Sequence, residues 1–341
     1  MRKVTLRDIS EVTGFSVNTV SRALNDRSEI SKETKAKIQD VAKKLGYRPN
    51  RLAQGLRKQR SDVLGVVVTD IGNPFWGTVV KSIEQASREA GYRIILLDTD
   101  ENLELELEAA QTLISQRVDG ALICPTQQGT ECMCELERNG VPFVLVGRRF
   151  SDSDCSYVIP NDEQAGYLAA EHLLQLGHRR IGLVNAPSHI SSAQERFHGF
   201  VTAHADAGVE VSDSLISFGA LSSAEGHEVM ARMLAESLDF TAVVAFSDFV
   251  AFGVLQAAAE HGLRVPSDLS VVGIDDTEFS SWLPSPLTTV RSPKRTLGAA
   301  SVRAIVSLLD SDGANPTPMI HEVLDMELIA RATTAPLERA V

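Results

Sequence analysis

The first apolar positions of the chain fall at Leu6, Ile9 and Val12, a spacing of three that lays one stripe along a helix. Thr5 caps that helix, and Gly14 closes it, since a tight turn favours a residue tolerant of positive φ. Ser16 is the N-cap of a second helix running to Leu24, with Val20, Ala23 and Leu24 facing inward. A third opens at Ser31, carries Glu33 in its first turn, buries Ile38, Val41, Ala42 and Leu45, and stops at Gly46 ahead of Pro49. From Asp62 onward the pattern changes, and strand-length apolar runs alternate with amphipathic helices. One series has runs at 63–68, 93–97, 120–124 and 143–146, and a second at 181–184, 241–246 and 269–274. The runs are continuous, as parallel strands buried on both faces require. Two βαβ series predict two doubly wound parallel-sheet subdomains of an α/β body.

Two helices joined by a short glycine turn and braced by a third make a helix-turn-helix. Charge strengthens that reading. The chain of 341 residues has a formal charge of −12, but residues 1–60 hold 15 Lys and Arg against 6 Asp and Glu, or +9. The remainder holds 18 against 39, or −21. This is the division expected of a polyanion-binding segment joined to a body that stays off the polyanion. In a helix-turn-helix the start of the second helix enters the major groove. Val17 then meets a thymine methyl, Asn18 an adenine edge and Arg22 a guanine. Thr5, Ser16, Thr19 and Ser21 offer hydroxyls to phosphate oxygens.

Composition narrows the remaining classes. The chain is 43% hydrophobic and 23% charged, with no apolar run long enough to cross a bilayer. Its first residues lack the apolar stretch of a secretory signal, so the expected location is the cytoplasm. Cys124, Cys132, Cys134 and Cys155 have neither metal spacing nor a disulfide framework and read as reduced thiols. There is no P-loop, Gly-rich dinucleotide fingerprint, G-x-S-x-G or H-E-x-x-H, and the eight histidines have no ligand spacing. Neither an enzyme nor a metal or other cofactor is expected.

The segment "VTLRDISEVTGFSVNTVSRALN" followed by "LGYRPNRLAQGLRKQRSDVLGVVV" resembles the LacI/GalR family of bacterial transcription regulators, and the resemblance runs over nearly the whole chain. It implies that Val17, Asn18 and Arg22 read bases of a palindromic double-stranded operator. It also implies that residues 50–57, with Asn50 and Ala53, form a hinge helix when two subunits of a homodimer meet on that operator. Leu56 is then the wedge in the minor groove, and Gly55 stands where a bulkier residue is common. The implied body resembles periplasmic sugar-binding proteins, with three crossings between subdomains near residues 160, 290 and 320. The implied division is a DNA-binding domain (1–47), a hinge (48–61), a body (62–331) and a tail (332–341). Within the body, one subdomain takes 62–160 and 291–319, and the other takes 161–290 and 320–331.

Ligands of such sheets lie beyond the carboxyl ends of the strands. Asn73, Phe75 and Trp76 follow the first strand, where aromatic faces suit either sugar stacking or core packing. Arg148 follows the fourth strand as a ligand fork or one arm of an ion pair. The resemblance marks Arg196 as an effector ligand and matches Asp275 to an acceptor of sugar hydroxyls, with Asp276 stabilising the following segment. It puts Ser247 and Asp248 where asparagine-aspartate is commoner, and Leu221 where many relatives carry an aromatic lid. Trp282 is left either at the cleft mouth or in hinge packing. The reading is a DNA-binding regulator, with a repressor preferred and an activator kept open, controlled by a small molecule in the cleft. A neutral sugar is favoured, with sugar acids and phosphates kept open by Arg148 and Arg149. A transport-type sugar-binding module is the alternative.

Overall fold

The computed structural model describes residues 4–25, 27–47, 60–151, 154–236, 239–310 and 318–337. The chain divides into two compact units, Met1–Ser61 and Asp62–Val341. The first is built from α1 (Leu6–Thr13), α2 (Val17–Leu24) and α3 (Lys32–Lys44). Thr5 and Asp8 form a reciprocal capping box on α1, and Gly14 leaves the helix at φ 74°, a region that costs most side chains strain. Ser16 caps α2 by accepting from the Thr19 amide at 3.1 Å. Ile9, Val20, Ala23, Ile38 and Ala42 make the core, with Leu6, Leu24, Val41 and Leu45 packed around it. Val12 departs from its predicted inward place: it is 61% exposed, because the α1 stripe is narrower than a spacing of three implies.

The second unit holds two six-stranded sheets. In chain order its elements are β1 (Val63–Val68), α4 (Pro74–Glu89), β2 (Arg93–Asp98), α5 (Leu103–Ser115), β3 (Gly120–Ile123), α6 (Glu131–Arg138), β4 (Phe143–Val146) and β5 (Tyr157–Pro160). Then come α7 (Asp162–Gln175), β6 (Ile181–Asn185), α8 (Ser191–Asp206), β7 (Ile216–Phe218), α9 (Ser223–Ala235), β8 (Ala242–Ala245), α10 (Asp248–Glu260), β9 (Ser270–Asp275) and β10 (Thr288–Arg291). The chain closes with α11 (Lys294–Leu309), β11 (His321–Leu324) and β12 (Glu327–Ile329). The first sheet has the order β11-β5-β4-β3-β1-β2, and every pair in it is parallel. The second runs β12-β10-β9-β8-β6-β7, parallel except for the antiparallel β10–β12 pair. Burial follows the apolar runs: β3, β4, β6, β8 and β9 are buried along their whole length, as interior strands between helix layers must be.

The chain passes between the lobes three times, after β5, between β10 and α11, and between β11 and β12. The last crossing lies beyond Leu324, not near 320, because β11 pairs with β5 in the first sheet. Nor do residues 332–337 form a free tail. The Val271 amide donates to the Thr333 carbonyl, Thr333 Oγ1 donates back to the Val271 carbonyl, and the Leu337 amide donates to the Leu176 carbonyl. His178 Nε2 lies 3.1 Å from the Ala335 carbonyl. Among the described residues no helix is long and apolar enough to cross a membrane, and no group of His, Cys, Asp or Glu could hold a metal ion.

Candidate DNA-binding face and effector cleft

On the three-helix unit, the inward side of α2 is spent on the core, which leaves Val17, Asn18 and Arg22 exposed together at positions i, i+1 and i+5. Val17 is 43% exposed, an apolar side chain that the local fold leaves to solvent. Thr5 and Ser16 are exposed and already serve as caps, while Thr19 and Ser21 are half-buried. Asn50, Ala53 and Leu56 lie outside the described residues.

In the second unit a cleft between the lobes holds about 450 Å³ of empty space, open to solvent. The first lobe lines it with Asn73, Phe75, Trp76, Cys124, Gly147, Arg148 and Pro160, and the second with Ser192, Arg196, Phe246, Ser247 and Asp275. Nearly all follow the carboxyl end of a strand, where backbone and side chains turn outward from the sheet. Asn73 caps α4 by accepting from the Phe75 amide at 3.0 Å. Phe75 and Trp76 meet edge to face at 5.1 Å and belong to the first lobe's core while also lining the cleft, so the two readings of these aromatics coexist. Cys124 is fully buried, and burial pushes its thiol up to about 12, so it enters the cleft as a small apolar group.

The charged groups are heavily cross-paired. Arg148 donates to both Glu101 oxygens at 2.6 and 2.8 Å and to the Pro125 carbonyl at 3.3 Å. Arg196 donates Nε to Asp162 at 2.7 Å and Nη1 to the Phe246 carbonyl. Its guanidinium lies 4.4 Å from the Phe246 ring centroid, and Nη2 stands 4.0 Å from Asp275 Oδ1. That last gap is longer than a hydrogen bond and is the opening that a ligand hydroxyl could bridge.

Asp275 and Asp276 both have positive φ, 122° and 53°, strained for non-glycine residues. Lys294, at the start of α11, donates its ammonium to both of their carbonyls and holds the strained turn against the interlobe connection. Burial pushes the Asp275 carboxyl up to about 7, with Arg196 pulling the other way, and pushes Asp162 up to about 6. A folded-state value above the unfolded one means that the native state binds more protons, so this contribution to stability declines as pH rises from about 4 to about 7. Half-buried His172 and buried His178 and His204, held low by desolvation, act in the opposite sense below their ordinary value. The parent is therefore best compared with Asp275→Asn. The parent's melting temperature minus that of the variant should fall steadily between pH 4 and 7 and flatten above. A difference independent of pH would show that Asp275 ionises at its ordinary value.

Two candidate ligands stand outside the lining. Asp248 is fully buried and accepts from the Thr277 amide at 2.7 Å and the Ser280 and Thr289 hydroxyls at 2.5 Å each. Its carboxylate has no free oxygen for a ligand and instead ties α10 to the loop after β9 and to β10. Leu221 packs on the second lobe's core ahead of α9. Trp282 is 64% exposed and edge to face with Phe279, so it is not packed in a core, and it is not among the residues that line the cleft. Asp276 clamps Arg291, at 2.7 Å, and Arg331. Sequence reasoning missed Cys124, Gly147, Pro160, Ser192 and Phe246 in the lining, and Asp162 behind Arg196. Pro160 and Phe246 lie at or just past strand ends, which was a usable signal. Asp162 was not found because its partner Arg196 is 34 residues away.

Comparison with known proteins fits both units. Residues 5–50 match the model of bacterial regulatory proteins of the lacI family, and residues 61–323 match that of periplasmic binding proteins and the sugar-binding domain of the LacI family. The chain is 32% identical over 338 residues to the HTH-type transcriptional regulator DegA of Bacillus subtilis (strain 168), covering 98% of this chain and 99% of that protein. It is similar to the lac repressor dimer solved with operator and the anti-inducer ONPF, at 30% identity and a TM-score of 0.87, covering 98% of this chain and 100% of that one. A complex of the transcriptional regulator CelR with cellobiose is similar at 28% identity and a TM-score of 0.74, covering 97% of this chain and 100% of that one. A basic helix-turn-helix unit, a two-lobed body and matches that together span nearly the whole sequence place this chain in the LacI family of bacterial transcriptional regulators.

Proposed function

We propose that the protein is a homodimeric cytoplasmic repressor that releases or grips a palindromic operator according to the occupancy of its cleft by a neutral, hydroxyl-rich effector, most simply a sugar. The exposed trio Val17, Asn18 and Arg22 on a basic helix-turn-helix unit carries the DNA half of this reading. Charge bookkeeping at the cleft carries the effector half. The two cations that kept sugar acids and phosphates open are already neutralised, Arg148 by Glu101 and Arg149 by Glu195. Arg196 stands between two carboxylates. Among the described residues of the cleft an anionic ligand would meet no unpaired cation, whereas hydroxyls can donate to Asp275 and accept from Arg196. Ligand binding then shifts the population between lobe arrangements by its difference in affinity for them. Two subunits are required because one helix-turn-helix reads few bases.

Selection from a random duplex library should return a two-fold symmetric site. Arg22→Ala should relax one base pair per half-site by roughly 10–100-fold, the worth of a bidentate arginine–guanine contact, and leave effector binding intact. Undiminished discrimination would sink the proposed readout. A thermal-shift panel should give hits among neutral sugars, about 2.7 kcal/mol at one hundred times the dissociation constant, and none among their phosphates. A phosphate hit would overturn the charge argument.

A further inference from the structure

We propose that Gln127, Arg149, Ser191 and Glu195 form a latch across one rim of the cleft that holds the lobes together in the ligand-free protein and so sets its readiness to respond. The proposal rests on the reading of the cleft as the effector site. Three contacts cross from the first lobe to the second. The Ser191 amide donates to Gln127 Oε1 at 2.8 Å, and the Arg149 amide donates to Ser191 Oγ at 3.3 Å. The Arg149 guanidinium donates to Glu195 at 3.0 and 3.3 Å. The donors and acceptors are braced within the first lobe: Gln127 Nε2 donates to the Arg149 carbonyl at 2.6 Å, and the Arg149 guanidinium lies over the Tyr157 ring at 5.2 Å.

Two further observations set this cluster apart from an incidental surface pair. The backbone of Gln127 is in the left-handed region, φ 62°, a conformation that a glutamine holds only when its surroundings demand it. Helix α8 also lacks a cap of its own, since the residue at its N-cap is Ile190, which has no acceptor. The orphan amide at the first position of α8 is therefore capped by a side chain from the opposite lobe. That same first turn and the next carry Ser192 and Arg196 into the cleft. Opening the lobes uncaps the helix that presents the effector-binding arginine, so closure and site geometry are coupled without any ligand touching the latch.

The protein holds a reporter for this. Of its two tryptophans, Trp76 lines the cleft at 6% exposure and Trp282 is on the surface. Trp282→Phe leaves Trp76 as the sole emitter in the full-length protein, and acrylamide quenching without any ligand then reads cleft opening. Against this parent, Glu195→Gln and Gln127→Ala should each raise the quenching constant at least twofold and shift emission to the red. The exchange Arg149→Glu with Glu195→Arg should return quenching toward the parent. Variants that melt with the parent yet quench like it would overturn the latch, as would a folded exchange pair that quenches no less than Glu195→Gln. Neither effector nor operator enters the measurement, so a failed latch leaves the effector reading standing. A flat sugar panel, in turn, leaves the latch standing.

Discussion

Gly199→Ala should destabilise the second lobe by about 3 kcal/mol, at the upper end of the usual cost of overpacking, and weaken effector binding at the same time. Helices α7 and α8 meet backbone to backbone through a reciprocal glycine pair. A Cβ on Gly199 would lie 1.9 Å from the Glu163 carbonyl oxygen, and one on Gly166 would lie 1.9 Å from that of Arg196. The obstructing atoms are main chain, so no rotamer change relieves the clash, and the helices must move apart. That motion separates Asp162 on α7 from Arg196 on α8, which are paired at 2.7 Å at the edge of the cleft. Stability and the charge geometry of the site are thus carried by the same contact. The melting temperature should drop by roughly 6–12 °C, given the usual 2–4 °C per kcal/mol for a body of this size. Gly77→Ala is the control. It also stands in a helix, but nothing lies within 4 Å of its added Cβ, and it should be neutral or stabilising by up to about 1 kcal/mol. A Gly199→Ala protein that melts with the Gly77→Ala control would show that the helices have slack that the geometry denies.

What could be read in advance followed the range of the interaction. The helix-turn-helix was legible because Thr5, Gly14, Ser16 and Ser31 act on the residues beside them. Seven strands, β1–β4, β6, β8 and β9, were legible because their runs are almost continuously apolar. Strands β5, β7, β10, β11 and β12 were not: each is only three or four residues long, and residues such as His321 and Glu322 in β11 have no apolar signature and pair only because β5 offers an edge. The third crossing was misplaced for this reason, and residues 332–337 looked like a tail because their hydrogen-bond partners lie some 45 to 160 residues back. The cleft divides in the same way. Strand-end positions pointed to Asn73, Trp76, Arg148 and Asp275, but the charge state of the site depends on pairs distant in sequence, with Arg148 facing Glu101 47 residues away. Arg148 therefore stood open as a ligand fork or one arm of an ion pair, and Asp248 looked like a ligand, until the partners of each were visible.

Asp248→Ala should be the most damaging substitution of a single polar side chain, at about 3–5 kcal/mol, the range for removing one member of a buried charged network. Burial pushes the Asp248 carboxyl upward, and the three donors from Thr277, Ser280 and Thr289 work against that rise. Gly273 on β9 makes room for the carboxylate: a Cβ there would lie 2.4 Å from Asp248 Oδ1. Alanine would strand the Thr277 amide in a dry interior, an unsatisfied group worth about 1–3 kcal/mol, take the acceptor from the Thr289 hydroxyl, leave Ser280 Oγ only Thr277 Oγ1 at 2.9 Å, and open a void beside them. Asp248→Asn keeps the shape but has one acceptor oxygen instead of two. Its amide must turn toward a hydroxyl that can accept, so it should cost less, about 1–2 kcal/mol. Because the carboxylate ties the carboxyl ends of β8 and β9 to β10, both variants should also lose affinity for a neutral sugar in proportion to their loss of stability. Urea unfolding followed by titration of the folded fraction separates this role from that of a direct ligand. A residue that touched the effector would lose binding in the asparagine variant while stability held, and that result would return Asp248 to the site.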